Sequence, residues 1–221
     1  ESIIPKDRKK TYDMRSIIRL ISDNNDFFEM TNFYGRGIIT GFIRINGYSA
    51  GIFANDSNFY AGSMTADNAK KTSRFIKLCD QFNIPIISFV DEPGFLIGPD
   101  AEKNATILHG TEAVLAAVDS TVPWCSVLIR KSFGVGSATH FGPESYVLAW
   151  HGPPPKLGLF HWKEVLQLPL AKKYLKPKIP RQNVKKLKRD LQNLKALFQE
   201  LKLFLFMKLL TRKKQESIFV L

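Results

Sequence analysis

The chain has 221 residues, 44% of them hydrophobic, which is ordinary for a globular protein of one large domain. Its net charge of +12 suggests a surface that binds polyanions, but the charge is unevenly distributed. Residues 1–150 contain 15 Lys and Arg against 16 Asp and Glu, whereas residues 151–221 contain 17 against 4. A basic surface over the whole protein is therefore excluded, and only the tail remains a candidate for binding nucleic acid or membrane.

The sequence carries no sign of export or membrane insertion. Residues 1–11 are charged and lack the apolar core of a signal peptide. Since no run of about 18 uncharged apolar residues occurs, we expect no membrane-spanning helix. Cys79 and Cys125 are too few for a disulfide framework and form no C-x-x-C pair. We therefore expect two small buried residues in a cytoplasmic protein.

Residues 37–82 are predicted to form a β-hairpin followed by a helix. The apolar segments 37–45 and 48–54 have the composition of strands, and Asn46-Gly47 between them is a strong hairpin turn. Between Asp67 and Phe82 the apolar residues recur with helical spacing. We expect Asp67 to cap this helix.

Two buried strands are predicted next, each followed by a glycine-containing turn. The first, 84–90, leads into Asp91-Glu92-Pro93-Gly94-Phe95. The second, 122–129, leads into Arg130 and a glycine-rich segment that ends near Ser137. A helix over 102–117 lies between them. This order predicts a layered α/β domain, in which sites form at the ends of strands.

The strand ends contain the candidate groups for chemistry. Adjacent strand residues point to opposite faces, so Asp91 and Glu92 are a poor acid–base pair, and we expect them to orient the turn. Gly94 permits positive φ and close ligand approach, although the local pattern alone favours a simple tight turn. The backbone N–H groups of Gly134-Val135-Gly136 can form an anion-binding nest or an oxyanion hole, but Gly-x-Gly alone is a weak signal.

Other catalytic patterns are missing from the sequence. No Gly-x-Ser-x-Gly nucleophile elbow occurs. The four histidines, His109, His140, His151 and His161, lack metal-ligand spacing to one another or to cysteine, so no metal site is predicted. We expect His109 and His140 to form local hydrogen bonds.

A series of motifs in residues 5–150 resembles a known enzyme family. In order, they are Tyr12-Asp13-Met14-Arg15, Gly51-Ile52-Phe53-Ala54-Asn55, Ala61-Gly62, Arg74-Phe75, Cys79-Asp80, Phe82-Asn83-Ile84-Pro85, Asp91-Glu92-Pro93-Gly94-Phe95-Leu96-Ile97-Gly98, His109-Gly110, Val122-Pro123 and Arg130-Lys131-Ser132-Phe133-Gly134. They resemble the C-terminal, biotin-handling half of carboxyltransferase (β-type) subunits of biotin-dependent acyl-CoA carboxylases, such as propionyl-CoA carboxylase. The resemblance implies a crotonase-like ββα spiral fold of the α/β class.

The resemblance also implies chemistry that needs no titratable side chain. Carboxybiotin gives its carboxyl group to an acyl-CoA, and two backbone N–H groups stabilise the negative charge left on the biotin ureido oxygen. By position in the family these donors are Val135 and Gly136. The biotin pocket is expected at Pro93, Gly94, Phe95 and Gly134. A residue that tunes acyl preference in the family aligns with Ala138, so the choice between acetyl and propionyl substrates stays open.

The expected partners follow from the same resemblance. Biotin is carried on a protein, so we expect a biotin carboxylase and biotin carrier subunit, together with a CoA thioester substrate. The family's CoA-binding N-terminal half does not occur in this chain, and intact members form homo-oligomers. No nucleic acid or membrane partner is implied. The family commonly has two glycines where this chain has Gly134-Val135, a change that a backbone donor tolerates.

Residues 151–221 form a basic tail, rich in Lys and Leu, that departs from the family after Leu148-Ala149-Trp150. Reading the codons of residues 152–169 one base earlier, with permitted synonymous choices, gives PSAETGALPLEGGVAVA, which resembles the family sequence. We hypothesise a frameshift near His151-Gly152. A single intact reading frame in the gene contradicts this hypothesis.

Three functions remain open from the sequence. The first is the carboxyltransferase component of an acyl-CoA carboxylase, and we expect the isolated chain to be inactive alone. The second is an inactive fragment that acts at most as a subunit-association module. The third is a basic membrane- or nucleic-acid-binding protein, since apolar residues between Leu187 and Leu201 have helical spacing with lysines between them.

Overall fold

The computed structural model describes residues 3–5, 7, 9–143, 145–149 and 156–157. The helices are α1 Met14–Ile21, α2 Ala66–Gln81, α3 Pro99–Lys103 and α4 Thr106–Asp119. The strands are β1 Phe28–Met30, β2 Ile38–Ile45, β3 Tyr48–Asn55, β4 Ile86–Glu92, β5 Trp124–Ser132, β6 Tyr146–Ala149 and β7 Lys156–Leu157. Within the described residues, 3-10 helices span Asp23–Asn25, Tyr60–Gly62 and Val135–His140. Apart from β7, the predicted tail lies outside the described residues, so its frameshift, amphipathic helix and boundary at residue 150 stay predictions.

One mixed sheet organises the described part of the chain. Its strand order is β1-β2-β3-β4-β5-β6, and β7 also pairs with β5. The pairs β1–β2 and β2–β3 are antiparallel, whereas β3, β4, β5 and β6 run parallel to one another. Parallel strands end at the same edge of a sheet. Asn55, Glu92 and Ser132 therefore lie along one edge, where ligand sites form in α/β folds.

The predicted hairpin between β2 and β3 is confirmed. Asn46 and Gly47 have φ of 52° and 82°, as expected for a type I′ turn with two left-handed central residues. Asp23 stabilises the turn, because its carboxylate oxygens accept hydrogen bonds from the Asn46 and Gly47 backbone N–H groups at 3.0 and 2.8 Å.

The predicted helix over 67–82 is confirmed as α2, but the expected cap is wrong. The N-cap is Thr65, whose hydroxyl oxygen accepts from the Asn68 backbone N–H at 3.2 Å. Asp67 lies inside the first turn, where its negative charge favours the helix dipole. Its carboxylate accepts a hydrogen bond from the Tyr34 hydroxyl at 3.0 Å.

The single helix predicted over 102–117 is two helices, α3 and α4. They are separated at Ala105, which has left-handed φ and ψ of 53° and 43°. A left-handed residue interrupts the right-handed backbone, so the helix cannot continue through it. Of the helices that the structure describes, none combines the length and the apolarity needed to cross a membrane.

The helices α2 and α4 pack on the parallel strands. The shared core contains the fully buried side chains of Phe53, Ile76 and Trp124, each of which stabilises the fold by ~2–3 kcal/mol. A Cβ at Gly51 would lie 2.6 Å from the Cys79 sulfur, so glycine is needed where α2 crosses β3. Cys79 and Cys125 are both buried, as predicted.

A buried lysine joins α2 to the antiparallel part of the sheet. Lys71 Nζ donates hydrogen bonds to the backbone oxygens of Ile38 at 2.7 Å and Thr31 at 2.9 Å. Burial lowers the pKa of Lys71 to about 8, against a smaller opposing effect of the Glu29 carboxylate. The folded chain therefore holds this proton less tightly than the unfolded chain does.

We expect the contribution of Lys71 to the free energy of unfolding to rise between pH 8 and the ordinary lysine pKa of 10.5. Below pH 8 Lys71 is protonated in both the folded and the unfolded chain, and above 10.5 it is protonated in neither. Its contribution therefore changes with pH only between these two values. Urea unfolding of the unsubstituted chain and of Lys71→Met across this window measures the difference. The exposed Lys77→Met is the control, and a Lys71→Met curve parallel to that of the unsubstituted chain would contradict the prediction.

Candidate active site

The turn after β4, residues 93–96, forms one side of the candidate site and is called the first wall. Gly94 has φ of 111°, a conformation that side chains rarely adopt. Its N–H donates to Glu92 Oε1 at 2.8 Å, and its carbonyl oxygen accepts from the Met64 N–H at 3.0 Å. The Leu96 N–H donates to the Met64 carbonyl oxygen at 2.9 Å. Of the two carboxylates predicted to orient this turn, Glu92 bonds to it directly, whereas the Asp91 side chain pairs with Arg130 instead.

Phe95 anchors the same turn to α4. A Cβ at Gly110 would lie 2.2 Å from Cε1 of the Phe95 ring, so the ring rests directly on the backbone of that helix. The pair explains why the sequence has glycine in the middle of a helix, where glycine costs ~1 kcal/mol relative to alanine. Pro93 lies on the other side of the turn, near Gly62.

The segment after β5, residues 134–140, forms the other side of the site and is called the second wall. The chain passes through Gly134, with φ of 63°, into the 3-10 helix Val135–His140. The Ser137 N–H donates to the Gly134 carbonyl oxygen at 3.3 Å, which closes the first turn. Val135 and Gly136 precede that bond, so their N–H groups have no partner within the helix. Val135 is 52% exposed, which leaves this turn open to a ligand.

The two walls touch at their glycines. A Cβ at Gly136 would lie 3.4 Å from Gly94 Cα and from the Phe95 nitrogen. The Phe133 N–H donates to the Glu92 carbonyl oxygen at 3.0 Å and joins the walls through the backbone. The structure thus brings together Gly94, Phe95 and Gly136, which follow the carboxyl ends of two neighbouring parallel strands and which the family resemblance assigned to one pocket.

Gly134 and Ala138 lie on either side of this contact. A Cβ at Gly134 would meet no atom within 4 Å, so Gly134 lies on the open side of the second wall. Ala138 is partly buried further along the 3-10 helix, and its carbonyl oxygen accepts from the Phe141 N–H at 3.2 Å. Its role in acyl preference stays a prediction.

A buried ion pair between Arg130 and Asp91 lies at the end of β4, directly before the first wall. Both Nε and Nη2 of Arg130 donate to Asp91 Oδ2, at 3.0 and 2.8 Å. The Tyr12 hydroxyl donates to the same oxygen at 3.0 Å, and its ring lies 4.4 Å from the guanidinium carbon. Burial raises the pKa of Tyr12, and the Asp91 charge raises it further. The cluster fastens the N-terminal segment to β4 and β5.

The other carboxylate, Glu92, faces the opposite side of β4. Its Oε2 accepts from Asn55 Nδ2 at 2.8 Å and lies 3.7 Å from His140 Nε2. His140 Nδ1 lies 2.6 Å from the Ser88 hydroxyl oxygen, and its ring stacks on Phe53 at 4.7 Å. Asp91 and Glu92 therefore serve different faces, as predicted. His140 is buried and hydrogen-bonded, in keeping with its predicted local role.

Lys131 and His109 are two further polar residues whose side chains form hydrogen bonds in this part of the structure. Lys131 Nζ donates to the Ala61 carbonyl oxygen at 2.9 Å. Burial lowers the pKa of Lys131, while Asp91, whose Oδ1 is 4.0 Å away, opposes the change. His109 pairs with Glu112 at 3.1 Å on the surface of α4, in keeping with its predicted local role. Within the described ranges, no three His, Cys, Asp or Glu side chains gather as metal ligands do.

Sequence reasoning missed several supporting residues. Both polar atoms of the Asn55 amide form hydrogen bonds. Besides its bond to Glu92, Nδ2 donates to the Gly62 carbonyl oxygen, and Oδ1 accepts from the Asp91 N–H. Its place at the end of a family-like motif was the available signal. Tyr12 carried a similar signal, whereas nothing in the sequence places Ser88 beside His140.

Comparison with known proteins identifies relatives of this arrangement. The carboxyl transferase domain family matches residues 1–151. Among curated proteins, the carboxyltransferase subunit of propionyl-CoA carboxylase from Haloferax mediterranei is 39% identical over 148 residues, covering 65% of this chain and 29% of that protein. The alpha subunit of methylmalonyl-CoA decarboxylase from Veillonella parvula is 42% identical over 133 residues, covering 60% and 26%. The chain thus spans less than a third of these relatives.

Solved structures give the same result for the fold. The transcarboxylase 12S hexamer, with hydrolysed methylmalonyl-coenzyme A bound, matches with a TM-score of 0.66 and 35% identity, covering 72% of this chain and 32% of that one. The beta subunit of P. aeruginosa geranyl-CoA carboxylase matches with a TM-score of 0.65 and 26% identity, covering 86% and 36%. These neighbours have the crotonase-like α/β fold, so the predicted fold class is confirmed.

We expect Gly110→Ala to destabilise the chain by ~1–3 kcal/mol, because the new methyl group overlaps the Phe95 ring. Helix propensity alone predicts the opposite sign, a gain of ~1 kcal/mol. Urea unfolding measures the change. The double variant Gly110→Ala with Phe95→Leu should recover part of the loss, and a stabilised single variant would show that the ring does not rest on Gly110.

We expect Asp91→Asn to lower the free energy of unfolding by ~3–5 kcal/mol, because it removes the carboxylate charge that faces the buried Arg130 guanidinium. Thermal and urea unfolding at neutral pH measure this loss. The exposed Asp26→Asn changes net charge equally and should leave stability within ~0.5 kcal/mol. Equal effects of the two substitutions would mean that the buried pair contributes nothing specific.

Proposed function

This chain belongs to the carboxyl transferase domain family, and we propose that it supplies the biotin-side half of an enzyme that moves a carboxyl group between carboxybiotin and an acyl-CoA. The observation that carries the proposal is the contact between the Gly94 turn and the first turn of the helix at Gly136. Beside this contact, two neighbouring backbone N–H groups remain without a partner in their own helix.

The residues present fit a biotin ureido group. Two adjacent N–H donors at a helix start are suited to an oxygen that carries negative charge. Glycine at 94 and 136 lets the two walls come into contact, which places the donors directly beside the Gly94 turn. Gly134, with open space where a Cβ would be, gives access to the same donors. Pro93, Gly94, Phe95 and Gly134 are therefore the proposed biotin-binding residues, and Val135 and Gly136 the proposed donors.

In the proposed reaction, bound carboxybiotin supplies the carboxyl group that is transferred. The chain's own contribution is to hold the ureido oxygen against the N–H groups of Val135 and Gly136, which favours the state in which that oxygen is most negative. Phe95 keeps the facing wall rigid through its contact with Gly110. Preorganised donors of this kind contribute ~3–4 kcal/mol each to lowering the barrier.

The acyl-CoA and the remaining subunit enter the proposal through the relatives, whose lengths this chain covers by less than a third. We propose a CoA thioester of the propionyl or acetyl type as substrate, with Ala138 near the acyl group. The proposed partners are a CoA-binding half, a biotin carboxylase with its biotin carrier, and further copies of the subunit. The cytoplasm stays the predicted location.

Exposed apolar side chains near the site support such association. Ile97 follows the turn and is 86% exposed, while Ile107, Leu108 and Leu115 on α4 are 60%, 60% and 54% exposed. Apolar surface of this kind commonly marks a protein interface. The same surface favours the second candidate, an inactive module that only associates with partner subunits. Activity with an added CoA-binding half separates the two.

We expect carboxyl transfer from carboxybiotin to propionyl-CoA or acetyl-CoA only when the chain is combined with a CoA-binding half. In that mixture Val135→Pro should lower kcat by ~10²–10³-fold, because proline has no N–H to donate. Proline is well tolerated at the first position of a helix, so the fold should persist.

The matched control is Val135→Ala, which shortens the side chain but keeps the N–H and should stay within a few-fold of the unsubstituted kcat. Circular dichroism of both variants checks that they fold alike. Equal kcat for the proline and alanine variants would exclude the Val135 N–H as a donor. No transfer by the unsubstituted mixture would favour the association module.

A further inference from the structure

Glu92 makes contacts with both walls of the site, although it is completely buried. Its Oε1 accepts from the Gly94 N–H at 2.8 Å, and its backbone oxygen accepts from the Phe133 N–H at 3.0 Å. The first bond fixes the turn after β4, and the second fixes the chain just before the second wall. One residue at the end of one strand therefore sets where two segments lie.

The other carboxylate oxygen extends this arrangement to the far end of the second wall. Glu92 Oε2 accepts from Asn55 Nδ2 at 2.8 Å and faces His140 Nε2 at 3.7 Å. His140 is the last residue of the 3-10 helix that begins at Val135. Its carbonyl oxygen accepts from Ser126 Oγ at 2.6 Å and from Trp124 Nε1 at 2.8 Å, so the helix end is firmly attached to β5.

His140 Nε2 is buried and has no hydrogen-bond partner within the described part of the chain. The Ser88 hydroxyl lies 2.6 Å from Nδ1 and can donate to it, which leaves the hydrogen of a neutral ring on Nε2, aimed at Glu92. A separation of 3.7 Å exceeds the ~3.2 Å of a formed hydrogen bond.

We propose that Glu92 is a positioning residue, whose carboxylate holds the Gly94 turn against Gly136 by binding the Gly94 N–H on one side and facing His140 on the other. A buried carboxylate is costly unless hydrogen bonds compensate it, and an apolar residue would fill this place at a lower cost in free energy. The carboxylate, however, accepts the hydrogen bond from the Gly94 N–H, which an apolar side chain could not do. The role in catalysis rests on the proposed function, whereas the positioning itself does not.

The test uses the full chain labelled with [15N]glycine, in which only the 14 glycine amides give signals. We expect Glu92→Gln, which removes the charge but keeps the shape, to shift the Gly94 amide and, through the changed wall contact, the Gly136 amide. Hydrogen exchange at Gly94 should become at least about tenfold faster, since a charge-assisted bond is replaced by a weaker neutral one. The control is Glu112→Gln, an exposed carboxylate that pairs with His109.

A second measurement covers the case in which Glu92→Gln does not fold. In the unsubstituted chain the Gly94 amide, in a turn that is only partly buried, should be protected from exchange. Exchange of Gly94 at the rate of an unprotected glycine overturns the proposal. In a folded Glu92→Gln variant, unchanged Gly94 and Gly136 signals overturn it as well.

Carboxyl transfer in the mixture with a CoA-binding half gives the catalytic readout. Glu92→Gln should lower kcat by ~10–100-fold through misplaced donors, while KM for the acyl-CoA stays unchanged. A raised KM with unchanged kcat contradicts the catalytic part of the proposal. If the unsubstituted mixture does not turn over, the proposed function fails, and the glycine signals still decide whether Glu92 positions the turn.

Discussion

A carboxylate that is removed from water must be paired, and β4 ends in two of them. Asp91 and Glu92 are both completely buried, and the alternation of a strand directs them to opposite faces. On one face Arg130 and Tyr12 donate to Oδ2 of Asp91 and attach the N-terminal segment. On the other face Glu92 receives the turn that follows its own strand. The position of both the segment and the turn depends on this one strand end.

The glycines around the site follow from the same constraint. Once Glu92 fixes Gly94, the neighbouring backbone must come close, and a methyl group at Gly136 would meet Gly94 Cα at 3.4 Å. At Gly110 the requirement is stricter, because a methyl group there would lie 2.2 Å from the Phe95 ring. The ring therefore demands a glycine on α4, whereas Gly136 marks the place where the two strand-end segments come into contact.

The sequence predicted the hairpin and the strands because their signals are local, whereas a shared site for the two glycine turns was implied only by the family resemblance. Asn46-Gly47 determines its own turn, and an apolar run determines a buried strand. The cap at Thr65 is also a local feature, since its hydroxyl bonds to the Asn68 N–H, but Asp67 was preferred to it; the left-handed break at Ala105 has no comparable sequence signal. The approach of His140 to Ser88 and Glu92 depends on strand register, which no short motif records.

The donors that we propose at Val135 and Gly136 are peptide groups, and this has a consequence for anyone who perturbs the protein chemically. Oxidants, alkylating agents and acylating reagents act on side chains, and a peptide N–H offers them no reactive atom. The charge of a peptide group also does not change across the pH range in which proteins fold. Reagents that trap nucleophilic residues should therefore pass over this site, and only a molecule shaped to fill it would inhibit it.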